Sequence, residues 1–278
     1  MSASAGQLGA DAFADHRDGR AGRRVETRRY SRRVGERVHR ELVALWESPF
    51  GCHAADEVRM AEPLAFDERT GELQVAHIDG HPLGGSDDVT AFEFVLPEVA
   101  ALVAELHRSG VTVRERHPAP RIVRSLVRAS RAPRARLGPA GRPAVTRLAA
   151  IAPIGEQLVP SHGGLSPRRV LVTGDGLAVL GLDGLRMAGR GHDIAAIGAW
   201  AWTAMLRDGD AADWSIGEQF AEAYSTAVGS SAWRRHEPFH RAAALLRTVL
   251  GPRPEPLPEA LAHAVVAEAA RIAGPGRP

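Results

Sequence analysis

Few side chains in this sequence stand at spacings that suggest chemistry. His77 and His81 are four apart, which on a helix would aim two imidazoles at one metal, but Gly80 and Pro82 flank His81 and read as a hinge loop. Ser166 lies in G-L-S-P, which is not the G-x-S-x-G turn of a nucleophilic serine. Cys52 is the single cysteine, so it has no disulfide partner, and no zinc spacing surrounds it. Trp200 and Trp202 read as core, and Phe and Tyr are too few for a platform that stacks nucleobases.

What is missing excludes more. All 35 basic residues are arginine, and the chain has neither lysine nor asparagine. That removes a Walker-type phosphate loop, a Schiff-base amine and the magnesium-binding asparagine of a protein-kinase loop. The 278 residues, 44% apolar and 24% charged, have an ordinary globular composition. The first twenty residues hold no apolar run of signal length, no later run approaches a membrane span, and the arginine pairs at 23–24, 28–29 and 32–33 precede no hydrophobic stretch. A cytoplasmic protein with no membrane partner is expected. Net charge is only +2, yet residues 17–40 hold ten arginines against Asp18, Glu26 and Glu36, and residues 114–147 hold ten against Glu115. Such blocks are solvated faces or landing surfaces for anionic partners.

The elements that must carry these residues follow from periodicity. Residues 1–22 are unpatterned and read as a disordered arm, followed by a small N-terminal lobe over 23–85 and a helical lobe over 86–274. Val25 to Tyr30 predicts a strand, and Val34, Val38, Leu42 and Leu45 or Trp46 give the stripe of a helix over 33–46. Pro63 to Leu83 reads as a hairpin turning at Asp67 to Gly71. Helices are predicted over 92–106, 122–131, 144–158, 194–206, 216–228, 232–250 and 257–272. One further strand pair, 170–172 with 177–180, is the only other one expected.

This order resembles the aminoglycoside phosphotransferase family. Leu158 to Val172, L-V-P-S-H-G-G-L-S-P-R-R-V-L-V, resembles the family's catalytic loop L-V-H-G-D-L-H-P-x-N-V-L-V. Leu177 to Ala195 resembles its metal-binding segment L-I-D-F-D-G-A-R-x-G with a later D-L-A. A-L-V-A-E-L-H-R-S-G, I-D-G-H-P-L and F-A-E-A-Y are similar to further family pieces in the same order. The resemblance spans residues 25–270 and implies an α+β, two-lobed kinase-like fold with a truncated β lobe.

It also implies where chemistry should sit, and there this chain departs. The loop aspartate, loop asparagine and metal-binding aspartate correspond to Gly164, Arg169 and Gly181, and Mg²⁺ needs oxygen ligands. The phosphate-binding lysine corresponds to Arg28, with Glu41 as its implied helix partner. His162 is a candidate general base. Asp183, two residues after Gly181, would project to the same side of a strand and is a candidate metal ligand. Asp193 matches the aspartate that ties the loop backbone. The reading favoured by the resemblance is a pseudokinase that needs no cofactor and binds a protein or peptide partner, as an accessory subunit of a biosynthetic complex. The alternative is an active phosphotransferase using ATP or GTP with Mg²⁺ to phosphorylate a hydroxyl. Nucleic acid is the less favoured partner.

Overall fold

A computed structural model describes residues 14–17, 24–51, 57–83, 89–131, 141–251 and 257–274; Cys52 and most of the first 22 residues lie outside these. In chain order the strands and helices begin with β1 (Ala14–Arg17), β2 (Arg24–Arg29), α1 (Arg32–Trp46), β3 (Pro63–Asp67), β4 (Glu72–Ala76) and β5 (His81–Pro82). They continue through α2 (Val89–Glu93), α3 (Leu96–Arg108), β6 (Arg116–His117), α4 (Ala119–Ser130), α5 (Gly141–Ala150) and β7 (Leu158–Ser161). The last are β8 (Val170–Thr173), β9 (Gly176–Val179), β10 (Arg186–Gly189), α6 (Gly191–Asp208), α7 (Ser215–Val228), α8 (Glu237–Leu250) and α9 (Glu259–Ile272). Two compact units result, one of Met1–His81 with Leu171–Asp183 and the other of Pro82–Val170 with Gly184–Pro278. The β8–β9 hairpin, expected in the helical lobe, thus groups with the N-terminal unit.

In the N-terminal unit the strands run β1-β2-β4-β3, all antiparallel. Residues 14–17 are therefore an edge strand on β2, and the expected loose arm does not extend through them. Alternation on β4 buries Leu73 and Val75, and α1 covers them with Val38, Leu42 and Leu45. Val34, expected on that stripe, is 39% exposed. Gly35 takes the inward place because a Cβ there would lie 2.2 Å from the Phe66 ring.

The helical unit buries Leu126, Leu148, Trp202, Phe239, Leu246 and Val265 in one core from α4, α5, α6, α8 and α9. Three helix bounds differ from the periodicity, each at a proline. Pro97 in the first turn of α3 separates it from α2, Pro153 lies just beyond α5, and Pro238 opens α8 after a 3₁₀ turn at Ala232–His236. The helix expected to reach Leu158 ends at Ala150, and the next segment is β7, which pairs antiparallel with β10 while β6 pairs parallel to β10. A single additional strand pair was therefore too few. Among the described residues no helix is long and apolar enough to cross a membrane.

Candidate functional site

In the helical unit, β7 delivers the chain into His162, Gly163 and Gly164. Asp193, in the first turn of α6, accepts the His162 backbone N–H at 2.7 Å through Oδ2 and the Gly163 N–H at 3.1 Å through Oδ1. Asp193 is fully buried. His107 Nε2 lies 3.2 Å from Oδ2, His107 Nδ1 lies 2.8 Å from the Tyr224 hydroxyl, and Arg190 donates to that hydroxyl at 3.0 Å. Every atom is satisfied when His107 donates Nε2–H to Asp193, accepts the Tyr224 proton, and Tyr224 accepts from Arg190. Burial alone would raise the Asp193 carboxyl; the hydrogen bond from His107 leads the interactions with the neighbouring imidazoles that hold it well below the usual range.

The loop's two glycines differ. Gly163 has φ +81°, and a Cβ on it would lie 2.1 Å from Arg186 Nε and 2.6 Å from the Gly184 carbonyl. Gly164 has nothing within 4 Å of such an atom. The Gly164 N–H donates to His162 Nδ1 at 3.2 Å, so the buried imidazole braces the loop. Arg169 ends the 3₁₀ turn Pro167–Arg169, and its N–H bonds the Ser166 carbonyl. Arg186 donates from Nε to the Gly184 carbonyl at 2.9 Å and reaches His117 Nδ1 at 3.3 Å. Burial, then the Arg186 charge, pushes His117 down to about 4 against its bond with Glu115.

In the N-terminal unit, Arg28 on β2 pairs with Glu26 at 3.4 Å and with Asp183 at 3.7 Å. Glu41 on α1 accepts from Arg37 at 2.6 Å. Tyr30 lies with Arg28 and Asp183; its hydroxyl and Arg28 Nε are buried without a partner at hydrogen-bond geometry. Burial and then the Asp183 charge push the phenol up to about 12. Gly181, with φ +76°, lines a cavity of about 20 Å³ with Arg28, Leu42, Met60, Val75 and Val179, room for one water. Asp183 does not sit on a strand: Leu182–Gly184 is a 3₁₀ turn, so the two-residue alternation that would have put it beside residue 181 does not apply.

Within the N-terminal unit, Gly181 offers a magnesium ion no side-chain oxygen and the Asp183 carboxylate faces a guanidinium; within the helical unit, Gly164 and Arg169 offer no side-chain oxygen either. Among the described residues no group of three or more His, Cys, Asp or Glu is placed to hold a metal ion. His77 instead meets Glu26 at 3.1 Å and Asp79 at 3.5 Å, and His81 lies exposed on β5. Sequence reasoning did not foresee the roles of Tyr30, His107, Tyr224 or Arg186.

No family model matches the chain, and no curated protein sequence matches it. Solved structures do. A choline/ethanolamine kinase family protein from Mesorhizobium loti superposes with TM-score 0.64 at 16% identity, over 96% of this chain and 90% of that one. Choline kinase LicA from Streptococcus pneumoniae gives 0.61 at 12% identity, over 96% and 92%. An aminoglycoside-3'-phosphotransferase of type VIII gives 0.56 at 18%, over 84% and 89%. LicA has also been solved in complex with AMP. At these identities the likeness establishes the fold, and the chain is an α+β protein with the kinase-like fold of choline kinases and aminoglycoside phosphotransferases.

Proposed function

We propose that this protein is a pseudokinase: a kinase-like scaffold that does not transfer phosphate and works by binding an acidic segment of a partner protein, as an accessory subunit of a biosynthetic complex. The observation that carries the first half is the Arg28–Asp183 ion pair at 3.7 Å. Two residues after Gly181, this carboxylate faces a cation, and in the sequence residues 164, 169 and 181 carry no side-chain oxygen. A cation competing for Asp183 would have to displace a guanidinium already held in a half-buried pocket.

The second half rests on how the arginines are partnered. Those of the first block are largely neutralised: Arg29 by Glu72, Arg32 by Glu68, Arg37 by Glu41 and Arg40 by Glu36. On α4 and just past its end, Arg124, Arg128 and Arg131 are spaced four and three apart, all exposed, and none has a carboxylate partner among the described residues. Arg134 and Arg136 of this block lie outside the described residues. A stripe of three forks suits carboxylates of an extended acidic segment. It is short for a nucleic-acid backbone, and aromatic residues that would stack on bases are scarce.

The test is binding of a labelled polyglutamate peptide to the full chain and to a variant carrying R124E, R128E and R131E. Binding that weakens with salt and falls at least about tenfold in the variant, with R29E/R32E unchanged, supports the reading. Equal binding by the α4 variant, or preference for single-stranded DNA over the peptide, contradicts it.

A further inference from the structure

A second cavity, of about 240 Å³, lies within the helical unit. Gln157 at its wall precedes β7 and His162 follows it, so at roughly 3.3 Å per residue about 16 Å of chain separates this cavity from the loop. Five segments build it: the end of α3 brings Arg108, the β10–α6 junction Arg190, the end of α7 Val228, the 3₁₀ turn Trp233, Arg235 and His236, and the segment before β7 Glu156.

The guanidinium groups here bond only neutral atoms. Arg108 donates to the Ala227 carbonyl at 3.0 Å, Arg190 to the Tyr224 hydroxyl at 3.0 Å, and Arg235 Nε to His236 Nε2 at 3.0 Å. None has a carboxylate partner among the described residues. The contrast with the adjacent Arg234 is direct, since it meets Glu218, Glu222 and Glu237. Each fork has five N–H donors, so most remain for a ligand. Burial, and then Arg235, pushes His236 below its ordinary value against the pull of Glu156, which favours its neutral form at neutral pH.

Glu156 supplies the opposite feature. Its side chain is 9% exposed, Oε1 bonds His240 Nε2 at 2.8 Å, and Oε2 is buried with no donor. Three arginines against one glutamate leave two positive charges uncompensated, the charge of a phosphomonoester at neutral pH. The volume corresponds to about eight waters at ~30 Å³ each, enough for a three- to six-carbon body against the Trp233 wall.

We propose that this cavity binds a small hydroxylated phosphomonoester, a polyol or sugar phosphate, with the phosphate on Arg108, Arg190 and Arg235 and a ligand hydroxyl donating to Glu156. The site is independent of the pseudokinase reading and requires no magnesium.

Calorimetry on the full chain in EDTA, with glycerol 3-phosphate and glucose 6-phosphate as probes, tests it. Glycerol, glucose, inorganic phosphate and sulfate serve as comparison ligands. The esters bind in the millimolar range or tighter, glycerol and glucose do not, and R108Q/R235Q weakens the esters by about tenfold or more while melting unliganded at the parental temperature. E156Q removes a negative charge from the site, so inorganic phosphate binds at least as tightly as before while the preference for the esters over it shrinks. Failure of both esters to bind, equal affinity for inorganic phosphate or sulfate, or undiminished binding in R108Q/R235Q overturns the proposal. Should E156Q fail to fold, the arginine variant and the ligand comparison still decide.

Discussion

The Asp193 carboxylate accepts the backbone N–H groups of both His162 and Gly163, at 2.7 and 3.1 Å. A buried anion with two amide donors and His107 on its third side fixes the loop, whatever the side chains on that loop can do. That loop carries glycine at 163 and 164 and arginine at 168 and 169.

Gly163 and Gly164 separate backbone demand from side-chain loss. Gly163→Ala places a Cβ at φ +81° and against Arg186, and should cost at least about 1–3 kcal/mol. Gly164→Ala meets open space and should stay within about 0.5 kcal/mol of the parent. Denaturant midpoints of the two variants check this, and equal midpoints would contradict the loop geometry.

Acid should destabilise the chain well before its carboxylates titrate. His117 falls from an unfolded value near 6.5 to about 4 when folded, so the unfolded chain binds the proton first. Its contribution is complete above pH 6.5 and disappears as pH drops toward 4. Buried His192, depressed by desolvation and by Arg247, acts in the same direction, and Asp193 adds its loss only at still lower pH. Melting temperature should therefore decline between pH 6.5 and 4, less steeply in H117Q. A flat profile over that range would count against the burial of His117 beside Arg186.

Tyr30 reports on Asp183. The chain has two tyrosines, and Tyr30 titrates high because of burial and then the Asp183 charge. Asp183→Asn removes that charge and leaves Arg28, so ultraviolet pH titration should show one phenol moving down from about 12 while Tyr224 holds. No movement would mean that Asp183 is turned away from Arg28 and Tyr30, free for a ligand.

Sequence alone made much of this legible, and its failures have physical causes. β2, α1, the β3–β4 hairpin and the α6, α7 and α9 helices carry clear period-two or period-3.6 patterns and lie where periodicity put them, within a turn. β7 and β10, L-V-P-S and R-M-A-G, are only four residues long and do not alternate; β7 tolerates Pro160 because it is an edge strand in the order β6-β10-β7. At the site, the Asp193 tie to the loop was implied by the D-I-A resemblance. His107 and Tyr224 stood in motifs that also matched, H-R-S-G and F-A-E-A-Y, but their meeting spans 117 residues, and His107 lies 86 residues from Asp193. No local pattern encodes such a contact. Arg28 was implied by the family resemblance, whereas its pairing with Asp183 depends on a 3₁₀ turn that short-range alternation misreads as strand.

The central claim is tested most directly by thermal melting of the full chain with ATP and with GTP, each with and without Mg²⁺. A ligand at a hundred times its dissociation constant raises stability by about 2.7 kcal/mol, a shift well within the reach of the measurement. The account predicts no magnesium-dependent rise with either nucleotide, because residues 164, 169 and 181 bring no oxygen and Asp183 is paired with Arg28. A rise that requires Mg²⁺ and vanishes in Asp183→Ala would contradict it.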